Sequence, residues 1–156
     1  GGGSAARKGG AAGAGQAWVD AAKRGDRGEM EAILKSEGSG IVHHKARGIG
    51  HTAMHWCASR GEVALMVWLL SLGAEVNSRN TSEATPLHAA AGNGQAMSVE
   101  FLLARGADKS LLNDDGRTAA DLAESKGRPD LANTIKSHTA GAEEAGVEAP
   151  REEEVD

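Results

Sequence analysis

Apolar residues along this chain come in short clusters, most of them closed by a glycine. Leu87, Ala90 and Ala91 fall on one face of a short helix, and Gly94 stops it because glycine takes the left-handed conformation at little cost. Thr85 stands where its hydroxyl can cap that helix, and Pro86 sits in the first turn, where a missing N–H is harmless. A second apolar cluster follows at Val99, Phe101, Leu102 and Leu103, and Gly106 ends it. The stretch before it reads the same way, with Val63, Leu65, Met66, Trp68, Leu69 and Leu70 on its second helix. Each unit is thus expected to hold two short helices and an extended loop. Neither helix can bury its apolar stripe alone, so neighbouring units must stack.

The spacing makes this a repeat. "HTAMHWCASRG" is answered by "ATPLHAAAGNG" and again by "RTAADLAESKG". Thr52, Thr85 and Thr118 recur at a period of ~33 residues, as do Gly61, Gly94 and Gly127, a period that marks a stacked array. Leu69-Leu70 and Gly73-Ala74 return as Leu102-Leu103 and Gly106-Ala107. "AAKRG" ending at Gly25 is an earlier partial copy, set further back by a longer loop.

The wording "TPLHAAAGNG … FLLARGAD" resembles the ankyrin repeat, and the likeness covers about residues 16–138. "TAMHWCASRG … WLLSLGAEVN" is similar, with Ala53 where the family favours proline. The resemblance implies an all-α repeat solenoid: helix-turn-helix units joined by hairpin loops. Four units are expected, at about 16–46, 47–79, 80–112 and 113–138. Arg27 and Glu29 replace apolar residues in the first unit, and Thr134 and Lys136 do so in the last, giving the polar outer faces that end units need for solubility. On that ground the array is expected to be self-sufficient.

Composition adds the flanks. Residues 1–15, Gly/Ala-rich with Arg7 and Lys8, lack the apolar surface to offset chain entropy and are expected to be a disordered, appended leader. Residues 139–156 carry seven acids against Arg151 and read as a disordered acidic tail. The part between is close to neutral, without the basic excess of a nucleic-acid binder, and no apolar run reaches transmembrane length. A single cysteine excludes an internal disulfide and favours a cytoplasmic setting, with nuclear or organellar ones compatible.

Two clusters invite a chemical reading. His51, His55 and Cys57 lie close together, but the period places His55 with His88, and Cys57 with Ala90 and Ala123. The resemblance implies that His55 and His88 hydrogen-bond between neighbouring loops, and that Cys57 is a buried, inert thiol. His51 falls before the helix, so the pair does not form an i, i+4 ligand face, and no Cys-x-x-Cys pair supports zinc. His43, His44, Lys45, Arg47 and His51 form a basic run that reads either as a solvated loop or as a contact patch for an acidic segment, with metal binding the remaining reading. Ile49, between two glycines, is an apolar anchor or carries no role. Val67 and Leu72 either form a patch beside Trp68 or are covered. No nucleophile elbow, phosphate loop or zinc-protease motif is present, so no enzyme is expected, and no cofactor or metal. "GNGQ" at Gly92–Gln95 is the turn between two helices rather than a phosphate cradle.

What the resemblance implies for function is a monomeric protein-protein interaction module, an adaptor or scaffold, that holds a partner segment in a concave groove and against its hairpin tips. The matching tip positions are Arg47, Ile49 and His51, then Thr81, Glu83 and Ala84, then Asp114, Asp115 and Arg117. The matching inner-helix ends are Arg60, Asn93 and Lys126. The basic end of that groove fits an acidic segment, and neither nucleic acid nor membrane is expected as partner. Two alternatives are a small ankyrin-type kinase inhibitor and the ankyrin part of a larger acyl-CoA-binding or organelle-targeting protein. The inhibitors have a shortened first helix in the second repeat, and "TAMHWCASRG" is full length.

Overall fold

The computed structural model describes residues 2–139, with side chains from Gly13 onward. The acidic tail lies outside the described residues from position 140. Among the described residues there are eight α-helices and no strand: α1 Gly2–Arg24, α2 Arg27–Glu37, α3 Ala53–Arg60, α4 Val63–Ser71, α5 Pro86–Gly92, α6 Ala96–Ala104, α7 Ala119–Ser125 and α8 Pro129–Ser137. A 3₁₀ turn, Ser39–His43, sits in the long first loop. Consecutive helices pack as pairs. The inner helices α1, α3, α5 and α7 stack in a row, and α4, α6 and α8 stack behind them. This is the all-α repeat solenoid that the 33-residue period predicts.

Each inner helix starts the same way. Thr52, Thr85 and Thr118 accept hydrogen bonds from the backbone N–H three residues on, and the side chains of His55, His88 and Asp121 return to the threonine N–H. Two orphan donors are satisfied at each helix start. The imidazoles do more. His55 Nδ1 accepts from the Thr52 N–H at 3.1 Å, which leaves Nε2 as the protonated nitrogen, and Nε2–H donates to Ala84 O at 2.8 Å in the next unit. His88 repeats this with Thr85 and Arg117 O at 3.0 Å. Asp121 closes its own cap on Thr118 and has no second donor to reach onward.

The core is continuous along the stack. Trp18, Val19, Met30, Met54, Met66, Leu69, Leu87, Leu102 and Ile135 are fully or almost fully buried, and small residues such as Ala58, Ala90 and Ala123 let the inner helices approach closely. Behind the row, Gly61 and Gly94 adopt positive φ, at 80° and 70°. A Cβ on Gly94 would lie 2.3 Å from the Arg128 guanidinium carbon, and one on Gly61 2.7 Å from Gln95 Oε1. Glycine therefore serves twice there: it turns the chain, and it admits a side chain of the next unit. Gln95 Nε2 also donates to Ser59 O at 3.2 Å, tying that seam together.

Helix α1 runs from Gly2, and Gly15 in it is buried against the His44 ring. Alanine is the best helix former, so a helix packed through Trp18 and Val19 can propagate back through this stretch. The end units carry their polar faces as expected. Arg27 lies over the Trp68 ring at 4.7 Å, Glu29 pairs with Arg24, Thr134 is exposed, and Lys136 pairs with Glu124 at 2.8 Å. Trp68, capped by Arg27 and 6.0 Å from the Trp18 ring, is therefore half-buried; Leu72 is also partly covered, while Val67 stays 41% exposed.

Replacing His88 by alanine strips the Arg117 carbonyl and the Thr85 N–H of a partner at once. Urea unfolding is expected to show a loss of about 1–3 kcal/mol. Asp121→Ala, which breaks only a local cap, is expected to cost less in the same measurement.

Candidate functional site

The loops between units form three hairpins. Ala46 N–H donates to His51 O, Asn80 N–H to Ala84 O, and Asn113 N–H to Arg117 O, all at 2.9 Å. In the second and third, an asparagine side chain organises the turn. Asn80 Oδ1 accepts from the N–H groups of Ser82 and Ala84, and Asn113 Oδ1 from those of Asp115 and Arg117. The tips join one another as well, Thr81 N–H to Ile49 O at 3.0 Å and Asp114 N–H to Ser82 O at 2.9 Å. Asp114 and Asp115 are exposed members of this turn.

Most of the residues expected at the surface are there. Arg47, Ile49, Arg60, Thr81, Glu83, Asn93, Asp114, Asp115, Arg117 and Lys126 are exposed, and Ala84 is half-buried. His51 is the correction. It is 9% exposed, its ring stacks on His55 at 4.7 Å and 13°, and its Nδ1 lies 3.2 Å from Asn80 Nδ2. The first hairpin is one residue longer than the others, so its tip is Gly48-Ile49-Gly50 and His51 turns inward at its base.

Burial sets the electrostatics of this cluster. It pushes the His55 imidazole down to about 3, against the pull of its hydrogen bond to Ala84, and neighbouring His51 and Lys45 lower it further. Burial also lowers His51 and His88. Both His55 nitrogens are committed to hydrogen bonds, so this ring has no lone pair for a metal. Cys57 is fully buried, and burial, with Glu62 nearby, raises its thiol to about 12. A thiol so rarely ionised is not a nucleophile. Among the described residues no cluster of histidine, cysteine and carboxylates could hold a metal ion, and no helix is long and apolar enough to cross a membrane.

Two surface residues, Trp56 and Arg79, were not legible as site residues, and Glu83, legible as a tip position, was not legible in its backbone conformation. Trp56 is half-buried in the inner-helix row, in an edge-on contact with His51 at 4.8 Å between ring centroids and with the Lys23 ammonium 4.9 Å from its ring centroid. Its register mates are Ala89 and Leu122, so an outsized ring in that row was the available signal. Arg79 Nη1 donates to Glu83 O, Glu83 Oε1 and Leu112 O, linking the second hairpin to the third, and Leu112 is 50% exposed. Glu83 has φ of 60°, the only positive value at a non-glycine among the described residues, where the other tips carry Gly50 and Gly116.

Rigid stacked hairpins and a row of short helices, with varied side chains on one shared framework, define a repeat scaffold that presents a surface. A family model described as "Ankyrin repeats (3 copies)" matches residues 18–113 and again 54–144. The chain belongs to the ankyrin-repeat family, a non-catalytic fold whose members are generally protein-protein interaction modules. It is 29% identical over 113 residues to Ankyrin repeat-containing protein P1E11.10 of Schizosaccharomyces pombe, covering 72% of this chain and 54% of that protein. It is 38% identical over 82 residues to human Ankyrin repeat domain-containing protein 37, covering 53% of this chain and 52% of that protein. The chain thus spans about half the length of the curated relatives it matches.

An unfolded histidine takes its proton below about 6.5, whereas folded His55 does so only near 3. Between those values the unfolded chain binds more protons, so stability is complete above about pH 6.5 and declines as pH falls toward 3. Urea midpoints at pH 7.5, 6 and 5 are expected to fall in that order. Cys57 is expected to resist a thiol reagent at pH 8 in native buffer and to react at once in denaturing urea.

Proposed function

We propose that this chain is an adaptor or scaffold module that holds a segment of another protein along its inner-helix row and hairpin tips. The observation that carries this reading is the Trp56 site. A half-buried indole, flanked by Lys23 and His51, sits where α1, α3 and the first hairpin meet. Aromatic rings held in place are the usual anchors of protein interfaces, because they bring contact area at small entropic cost. Asn93 and Lys126 occupy the matching ends of α5 and α7, and Arg60 that of α3. The framework is fixed by the histidine bridges and tip hydrogen bonds, which reduces the ordering cost of binding.

The chain works as a monomer in this proposal, in a cytoplasmic setting consistent with its lone buried thiol. A kinase-inhibitor role is disfavoured by α3, which has eight residues against seven in α5 and in α7, rather than a shortened inner helix.

The test is a partner recovered with the wild-type domain and measured by calorimetry against Arg47→Glu/Arg60→Glu. At least a tenfold loss of affinity is expected, with the urea midpoint nearly unchanged because both side chains are exposed. Unaltered affinity in that double variant would overturn the assignment of the surface.

A further inference from the structure

We infer that the edge between the first and second hairpins is the specificity site of this module, and that it takes an acidic segment carrying an aliphatic side chain. This rests on the protein-binding reading above and names the chemistry of the partner.

Three observations converge there. The first is a cleft of about 440 Å³ between the two loops, lined by His43, Lys45, Glu75, Asn77, Ser78 and Arg79. That volume lies within the usual range for a binding cleft. Its two walls differ. On the second loop, Arg79 is held by Glu83, and Asn77 Oδ1 accepts from the Asp108 N–H, so those charges and acceptors are already engaged. Glu75 adds one negative charge at the rim. On the first loop, Lys45 has no ion-pair partner among the described residues, and Arg47 follows two positions on, also unpaired. No acid occurs anywhere from Gly38 to Gly61, while Lys45 and Arg47 do; Arg60, at the far end of that stretch, is paired with Glu62 at 3.2 Å. An extended segment in this cleft would therefore direct carboxylates to the first loop and find neutral donors on the second, such as the Asn77 amide, which has no acceptor among the described residues.

The second observation is Ile49. It is 48% exposed at the tip of the same hairpin, between Gly48 and Gly50. Its carbonyl accepts from both the Thr81 N–H and the Thr81 hydroxyl, at 3.0 and 2.8 Å, and that hydroxyl lies 3.1 Å from Gly48 O. An apolar side chain is thus held in solvent on a pinned backbone. That arrangement stabilises nothing within the fold and suits a contact that closes on binding. The third observation is continuity. Ala46 and Asn80 open the two hairpins just above Lys45 and Arg79, and Thr81 joins the tips, so cleft and anchor lie along a single edge. Glu83 is kept in a left-handed conformation that disfavours a non-glycine residue. There its carboxylate holds Arg79 at the cleft wall. Charge complementarity with the first loop selects an acidic protein segment over a basic one or a neutral one.

The experiment pans a display library of random 12-residue peptides on the wild-type protein. Enriched peptides are then measured by fluorescence anisotropy against Lys45→Glu, Ile49→Ser, Arg60→Glu and Lys35→Glu. The expected result is enrichment of Asp/Glu next to Leu, Ile or Val. Affinity should fall at least tenfold in Lys45→Glu and in Ile49→Ser, and stay within twofold in Lys35→Glu, which alters net charge equally on an exposed part of α2. Matching urea midpoints confirm folding of each variant. Peptides that depend on Arg60 but on neither Lys45 nor Ile49 would overturn this inference and leave the protein-binding reading standing. No enrichment above an unrelated immobilised protein would count against both. Equal losses in Lys35→Glu and Lys45→Glu would reduce the edge to non-specific attraction.

Discussion

A buried imidazole that spends both nitrogens on backbone is the contact on which the rest of this structure depends. Within its own unit, His55 accepts from Thr52 and so fixes the start of α3. Across the seam its Nε2–H reaches the Ala84 carbonyl at the base of the next hairpin. The same ring therefore sets a helix terminus and the height of the following loop. His88 does this once more, and the hairpins it spaces are close enough for Thr81 and Asp114 to bond to the preceding tip. Burial that keeps these rings neutral also keeps the donor and acceptor roles of their nitrogens distinct. Protonation would replace an acceptor by a second donor facing an N–H.

Stacking of this kind separates stability from recognition. The apolar core and histidine bridges run through the inner faces of the helices, where side chains are small and repeated. The positions the period leaves free are the hairpin tips, the residues just before them, and the exposed ends of inner helices, and the proposed recognition surface is drawn from these. The first hairpin departs furthest from its copies, with one extra residue, an apolar tip and a basic approach. The second departs in its backbone, at Glu83. The third, with Asp114, Asp115 and Arg117, stays closest to a plain turn held by Asn113. The departures are thus concentrated at one end of an otherwise regular framework, the end on which the proposed specificity site lies.

The particular errors of sequence reasoning here have physical causes. His51 was assigned to the surface because alignment by period put it beside variable residues. One extra residue in the first hairpin rotates that position inward, and the imidazole then finds His55, Trp56 and Asn80 to pack on. Lys23 over Trp56 could not be read at all, since these two residues meet only when α1 stacks on α3. The same holds for Arg79, whose target is a carbonyl 33 positions away.

What the sequence determined by itself is the period, and with it the repeat, the helix starts at Thr52, Thr85 and Thr118, the core stripe, and the structural roles of His55, His88 and Cys57. The landmarks recur in register, and a recurring local pattern carries its own geometry; the histidine roles came with the family resemblance, and that of Cys57 from the small residues at its register positions. What only the tertiary structure decided is the surface: the burial of His51, the Trp56–Lys23 pair, the cleft between the first two loops, and the pinning of Ile49 by Thr81. These are contacts between units, made by residues that differ from one copy to the next. Their geometry depends on the stacking distance and on a one-residue difference in loop length, and neither is encoded in any single repeat.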